Sequence, residues 1–351
     1  MLNKVVFIFL LICPAVVIAK NKDVKGFSFS HHDWEIACDN TRNCRAVGYQ
    51  SDDGGFNLPL ALLLERAAGA NQPVTAQLML GKMSEENIAP PAVLTMKVNN
   101  KSFGEVTFNK VNSSGKLSSI QTAALLAALR RDSTIEWLAA KETWVLSDKG
   151  ASAILLKMDE FQGRLGTKGA MVKKGNLDES KVLPSLAKPI ITSPPLPKTL
   201  AADKEFLIKN EKTIRQALEK TLDYKNDDYC LGIESLEQEI KIIRLSQRKF
   251  LLSTLCWRAA YNEGYGYWMI NNKPPYNAKL ITISASGDVG GGIYSTQKGR
   301  GIGDCLYIED WTWNGEDFIQ TSSYTTGMCK VVAAGGAWQL PTLVTNVREL
   351  K

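Results

Sequence analysis

Two adjacent histidines, His31 and His32, are the only imidazoles in 351 residues, and that scarcity decides most of the chemistry open to the chain. Ser-His-Asp or Cys-His catalysis needs a base seated beside its nucleophile. Both imidazoles precede the first clear strand, where a surface or strand-entry role suffices. Serine–lysine chemistry has two formal matches, Ser113-Ser114-Gly115-Lys116 and Ser295-Thr296-Gln297-Lys298. Neither opens a helix, and the Lys-Thr-Gly strand that accompanies such sites is missing. Adjacent carboxylates at Asp227-Asp228, Glu309-Asp310 and Glu316-Asp317 are the right type for cutting glycans. Nothing in their spacing sets a catalytic separation, so they read as solvated loops.

The run Gly299-Arg300-Gly301-Ile302-Gly303-Asp304 invites comparison with a phosphate loop. Nucleotide loops lead from a strand into a helix and carry a lysine–hydroxyl pair. Here a strand follows, and the pair is missing. Backbone amides near Arg300 could hold an anion; a tight bend with Arg300 and Asp304 bonded to each other is the competing reading. The aromatic-rich C-terminal half adds Trp311 and Trp313, rings that could stack on a sugar or dock a partner. They share one strand face, so a core role competes, and exposure decides between the two. The candidate ligand-binding residues are thus Arg300, Asp304, Trp311 and Trp313. No catalytic residue, metal ligand or cofactor site is expected.

Cysteine usage points to a compartment. Of seven cysteines, Cys13 falls in an apolar run, Val5 to Ala19, that follows Lys4 and gives way to Lys20-Asn21-Lys22-Asp23. That layout is a secretory leader over residues 1–19, removed after Ala19; at about 15 residues it is short for a membrane span. No second apolar run is long enough to cross a bilayer, so the mature chain is expected to be soluble, in the periplasm or secreted. The six remaining cysteines fall into sequence-local twos, predicting disulfides Cys38–Cys44, Cys230–Cys256 and Cys305–Cys329. Zinc would need Cys-x-x-Cys spacing or nearby histidines. Net charge is +6, part of it in a connector rather than a patch, and no nucleic-acid motif appears.

The elements that must position these residues form two domains. Residues 27–171 alternate apolar and polar positions, as at Trp34, Ile36 and Cys38, and then change to helical spacing over Ser119 to Arg131 and after Ser147-Asp148, a candidate cap. A β-barrel or β-sandwich-like domain with two helices is expected. Residues 172–204 lose periodicity and gain Pro184, Pro189, Pro194, Pro195 and Pro197, which reads as a semi-rigid Pro-rich linker with few contacts. Residues 205–351 open with a charged amphipathic helix and continue as antiparallel strands. The clearest hairpin turns at Asn314-Gly315, with Cys305 and Cys329 near its open end. The fold class is α+β.

Asp33-Trp34-Glu35, the stretch Cys38 to Tyr49, Met158-Asp159-Glu160-Phe161-Gln162-Gly163-Arg164, Gly299 to Cys305, and Trp338 to Thr345 together resemble the proteobacterial family called domain of unknown function 1176. The resemblance runs over nearly the whole mature chain. It implies export and paired cysteines and supplies no activity. The N-terminal domain alone is also similar to the invasion-associated locus B family, in its order of Trp34, Cys38, Cys44, a β region and a helix after Leu146-Ser147. Those exported proteins are linked to host-cell entry, a role that reaches this chain only by analogy. The expectation is an exported, non-catalytic binding or envelope-interaction module whose partner is an envelope or extracellular protein or glycan. The alternative is a secreted inhibitor of a lytic or proteolytic enzyme, and the third is an enzyme of unfamiliar type.

Overall fold

The computed structural model describes residues 24–52, 58–81, 92–109, 111–140, 142–226 and 229–350. The leader expected over residues 1–19, its cleavage point and the Asp227-Asp228 pair lie outside the described residues.

Ten antiparallel strands make the first sheet, a half-barrel. They are β1 (Phe27–His31), β2 (Trp34–Cys38), β3 (Cys44–Tyr49), β4 (Leu60–Arg66), β5 (Val74–Leu80), β6 (Val93–Val98), β7 (Lys101–Asn109), β8 (Ser114–Lys116), β9 (Ile135–Ala139) and β10 (Glu142–Leu146). Their spatial order is β1-β2-β3-β4-β5-β8-β7-β6-β9-β10. Trp34, Ile36, Cys38, Cys44, Ala46, Leu60, Leu62 and Leu64 face one side and form a core with Leu125 of α1 (Ser119–Ala128) and Ile154, Leu155 and Met158 of α2 (Ala151–Phe161). Gly48 is fixed by close approach: a Cβ there would sit 2.2 Å from the Trp34 ring. Helix α1 starts in a reciprocal Ser118–Gln121 capping box. The cap expected from Ser147-Asp148 is not formed. Gly150 is the N-cap of α2, while Asp148 accepts from the Ser133 N–H at 2.7 Å and Ser147 from Lys149.

The stretch read as a linker is tied down along its length. Leu183 N–H donates to the Gln162 carbonyl, Leu186 N–H to Thr41, and Arg42 donates to the Pro184 carbonyl. Within it β11 (Ile190–Ser193) runs parallel to the chain's final strand, and Ala201 already begins α3 (Ala201–Glu219). Prolines are tolerated in such extended edge segments, whose carbonyls still accept hydrogen bonds.

The C-terminal half is two packed sheets. After α3 come a short α4 (Leu231–Glu234) and a four-stranded sheet of β12 (Lys241–Arg244), β13 (Lys249–Arg258), β14 (Glu263–Asn271) and β15 (Lys279–Ala285). The five-stranded sheet joins β16 (Gly287–Val289), β17 (Gly292–Lys298), β18 (Leu306–Trp313), β19 (Phe318–Thr325) and β20 (Leu340–Leu343); β21 (Asn346–Glu349) pairs with β11. Leu207, Ile214 and Leu218 of α3 pack on Phe250, Leu252, Trp268 and Ile270. The other side of that sheet meets Ile293, Trp313 and Phe318 of the second sheet. All three expected disulfides form, with Cα–Cα separations of 4.0, 3.9 and 4.9 Å for Cys38–Cys44, Cys230–Cys256 and Cys305–Cys329. The architecture is α+β with mainly antiparallel β content. No helix among the described residues is long and apolar enough to cross a membrane.

Candidate functional site

Strand β4 carries five consecutive apolar residues, Leu60 to Leu64, and every one is buried. A strand covered on one face alternates; a continuous run requires cover on both. The second cover comes from the C-terminal half. Residues Val332 and Leu340, with Met328, Ala337 and Trp338, pack on Ala37, Val47, Tyr49, Ala61 and Leu63. Chain leaving β19 therefore crosses the outer face of the first sheet.

Polar contacts register that crossing segment. Gly327 takes φ +94°, and a Cβ on it would meet the Tyr49 hydroxyl at 2.2 Å. One residue on, Met328 N–H donates to Glu35 Oε1 at 2.6 Å and approaches the Tyr49 oxygen at 3.0 Å. Tyr49 itself donates to Glu35 Oε1 at 2.5 Å. Cys329 joins the segment to Cys305 at the start of β18. Lys330, nearly buried, reaches Asp33 at 2.9 Å and Asp52 at 2.6 Å, and its carbonyl accepts from Gln50. Val331 N–H donates to Asp304 at 2.7 Å.

Arg300 and Asp304 belong to this clamp. Arg300 Nε donates to Asp304 Oδ1 at 2.7 Å, and a second guanidinium nitrogen bonds Oδ2. The bidentate pair holds the Asp304 carboxyl below the usual carboxylate range and raises Arg300. Both partners are thus bonded to each other, the competing reading of this loop. Trp311 and Trp313 do not join them. They lie toward the far end of β18, where Trp313 is buried against Phe318 and Trp311 is half-buried on the same cluster. Trp313 thus fills the contact between the five-stranded and four-stranded sheets, and Trp311 packs on the same cluster while staying partly open to solvent. Ser295 and Lys298 stand three apart on β17, hence on opposite strand faces, and Ser295 bonds the Ser284 carbonyl. Glu309 accepts from Gln320, and Asp317 pairs with Lys279. The Asp304 carboxylate and the Cys305 and Cys329 sulfurs lie within 4.8 Å of one another, but both sulfurs are spent in the disulfide.

The site that sequence reasoning missed is Glu35. Glu35 lines a cleft of about 560 Å³ between β1 and the crossing segment, with Ser28, Ser30, Tyr307, Thr325 and Met328. Burial raises the Glu35 carboxyl above its ordinary range, against the lowering effect of the Tyr49 and Met328 hydrogen bonds. Burial and the neighbouring Glu35 charge likewise push Tyr49 up. Glu35 is the one ionisable carboxyl among the described lining residues, and no cation stands within ion-pair distance of it among the described residues. A carboxyl so placed can accept hydrogen bonds or pair with an incoming cation. The sequence offered one signal for it, a charged residue between Trp34 and Ile36 on a strand whose other face is core.

The family model for the protein of unknown function DUF1176 matches residues 28–345. The chain belongs to this DUF1176 family. Every cleft residue named above falls inside the match. The chain is also similar to the uncharacterised protein YpfG of Escherichia coli (strain K12), at 24% identity over 347 residues, covering 89% of this chain and 90% of that protein. No solved structure matches. The likeness of the N-terminal half to the invasion-associated locus B family gains nothing from these matches.

Proposed function

We propose that this DUF1176 protein is exported, works in the periplasm or outside the cell, and binds a partner through the cleft beside Glu35 without catalysing a reaction. The leader layout and three formed disulfides support the address, since paired cysteines persist in oxidising compartments. One observation carries the binding role: a cation-free, partly buried carboxyl stands in a cleft walled by both halves of the molecule. Clefts where two folded halves meet are common ligand sites.

The test is site-directed photocrosslinking in intact cells. A benzophenone amino acid at Phe29 or Tyr307 should give adducts, whereas the same group at exposed Val289 should not. Adducts at Val289 alone, or at none of the three, would overturn the cleft as the binding site. A secreted inhibitor is the second reading. The loop between Arg300 and Asp304 is clamped at its base, and Ile302 at its tip is 67% exposed. Loss of muramidase or protease inhibition in Ile302→Asp, with cleft crosslinks unchanged, would favour it.

A further inference from the structure

The two edges of the ten-stranded sheet are treated differently. Strand β10 approaches β4 across the half-barrel. Strand β1 stands at the other edge and, among the described residues, pairs only with β2. Its sequence, Phe-Ser-Phe-Ser-His, holds no proline, lysine or inward charge, the usual protections of an exposed edge.

Pairing parity shows which backbone groups this edge presents. Asp39 N–H donates to the Asn43 carbonyl, and Tyr49 N–H donates to Asp33. Odd-numbered residues of β2 therefore bond β3, and Trp34, Ile36 and Cys38 bond β1. Their register partners are His31, Phe29 and Phe27. The N–H and C=O groups of Ser28 and Ser30 are left pointing away from the sheet. The side chains of these two serines line the Glu35 cleft.

We infer that the edge of β1 takes up an extended peptide as an added strand, with a lysine or arginine of that peptide entering the cleft to meet Glu35. This rests on the cleft being the binding site and names its ligand. A residue opposite Ser30 on an added strand shares the face of Ser30 and Glu35, which are register partners. Strands stand about 4.8 Å apart, so it would lie roughly 10 Å from Glu35. A lysine's four-carbon stem spans that gap with the glutamate's own reach, and the small Ser30 leaves the row clear. Glu35 Oε1 is occupied by Tyr49 and Met328; Oε2 takes no hydrogen bond among the described residues. Charge selects the occupant. A second copy of β1 brings no lysine or arginine between Phe27 and His31, so self-pairing leaves Glu35 unpaired.

A phage-displayed random heptapeptide library would be selected on the mature protein and counter-selected on Ser30→Pro. Proline removes the outward N–H of Ser30 and leaves the β1–β2 bonds intact; circular dichroism and disulfide mapping check the fold. The selected peptides should alternate β-branched residues around a lysine or arginine. A synthetic copy of one should protect the Ser28 and Ser30 amides from hydrogen exchange. Its affinity should fall roughly tenfold on Glu35→Gln or on replacing its basic residue by norleucine, and the two losses should not add. Peptides without a basic residue, or peptides that bind Ser30→Pro equally well, overturn the proposal. So does a β1-mediated dimer in sedimentation that Ser30→Pro dissolves. Crosslinks at Phe29 and Tyr307 with no strand-like peptide selected would leave the cleft as a site and sink the peptide alone.

Discussion

Two clusters of buried carboxyls, both built on the first sheet, are satisfied in opposite ways. Around α2, Asp159 accepts from the Met171 and Val172 N–H groups and pairs with Arg66 at 3.5 Å. Arg164, fully buried, pairs with Glu179 at 2.9 Å and donates to the Ala67 and Gly69 carbonyls. Burial raises Asp159 and pulls Arg66 down to about 10, so Arg66 remains charged at neutral pH. On the outer face, Glu35 meets a phenol and an amide but no guanidinium. Where every buried carboxyl finds a cation, the polar groups fix chain position. Where one is left with an unused oxygen beside a cleft, they leave a place for something else.

The comparison breaks most sharply at Arg164. Its removal leaves buried Glu179 with only the more distant Arg66, at 3.7 Å, and leaves the Ala67 and Gly69 carbonyls without their donor, so Arg164→Ala should lower stability by about 3 kcal/mol, read from urea denaturation. Arg164→Lys should recover only part, because a point charge cannot serve Glu179, Ala67 and Gly69 at once. A loss under about 1 kcal/mol would mean that this network is not what holds residues 166–183 to the sheet.

The Cys305–Cys329 disulfide gives the next effect. Replacing both with serine frees a 24-residue separation and should cost about 2–4 kcal/mol. Hydrogen exchange should then speed at Met328 and Val331, which hold the crossing segment, and not at Met171 or Val172. Equal loosening at both clusters would show that the two are energetically one.

Lys330→Met sharpens the comparison on the seam itself. Burial pulls this lysine's pKa down, yet the Asp52 and Asp33 hydrogen bonds outweigh burial and leave it raised. A raised lysine stabilises the fold below its ordinary pKa, and that support is lost as pH climbs through the folded value. The variant should therefore lose about 2 kcal/mol at neutral pH and converge on wild type in alkaline solution. A deficit that is the same at every pH would assign the loss to packing.

What the sequence revealed follows the range of the interactions. The three disulfides were legible because their partners are 6, 26 and 24 residues apart, and the Asn314-Gly315 hairpin because its turn chemistry is local. The role of Asp159 and Arg164 was half legible. They stood out as a motif, but Glu179 lies in the stretch whose prolines suggested a linker. Glu35 was marked only as a charge on the strand's non-core face, and its partner was illegible, since Met328 is 293 positions away and no periodicity reports such a partner. The β11–β21 pairing was hidden for the same reason. The Leu60 to Leu64 run did carry the missing information: five buried positions in a row demand a second cover, and only the far half of the chain could supply it.

The smallest expected effect is also the one that most directly tests what Glu35 is. Its carboxyl is raised by burial, so between its ordinary and raised pKa values the folded state holds more protons than the unfolded state. Stability must then fall as pH rises through that window and recover as pH drops toward the ordinary carboxylate range. Glu35→Gln removes the titration while keeping a carbonyl oxygen to accept from Tyr49 and Met328. The variant should match wild type in acid and exceed it above the window, by about 1 kcal/mol or less, the scale of one exchanged hydrogen bond. Urea midpoints taken across acid to neutral pH would show two curves that meet at the acid end and part above it. Asp159 provides the internal contrast at neutral pH, where Asp159→Asn should be destabilising: Oδ2 accepts from Met171 and Val172 and Oδ1 meets Arg66, and an amide offers only one acceptor for the three. If Glu35→Gln instead tracks Asp159→Asn, the outer-face carboxyl is a structural charge like its counterpart, and the cleft beside it loses its claim to a ligand.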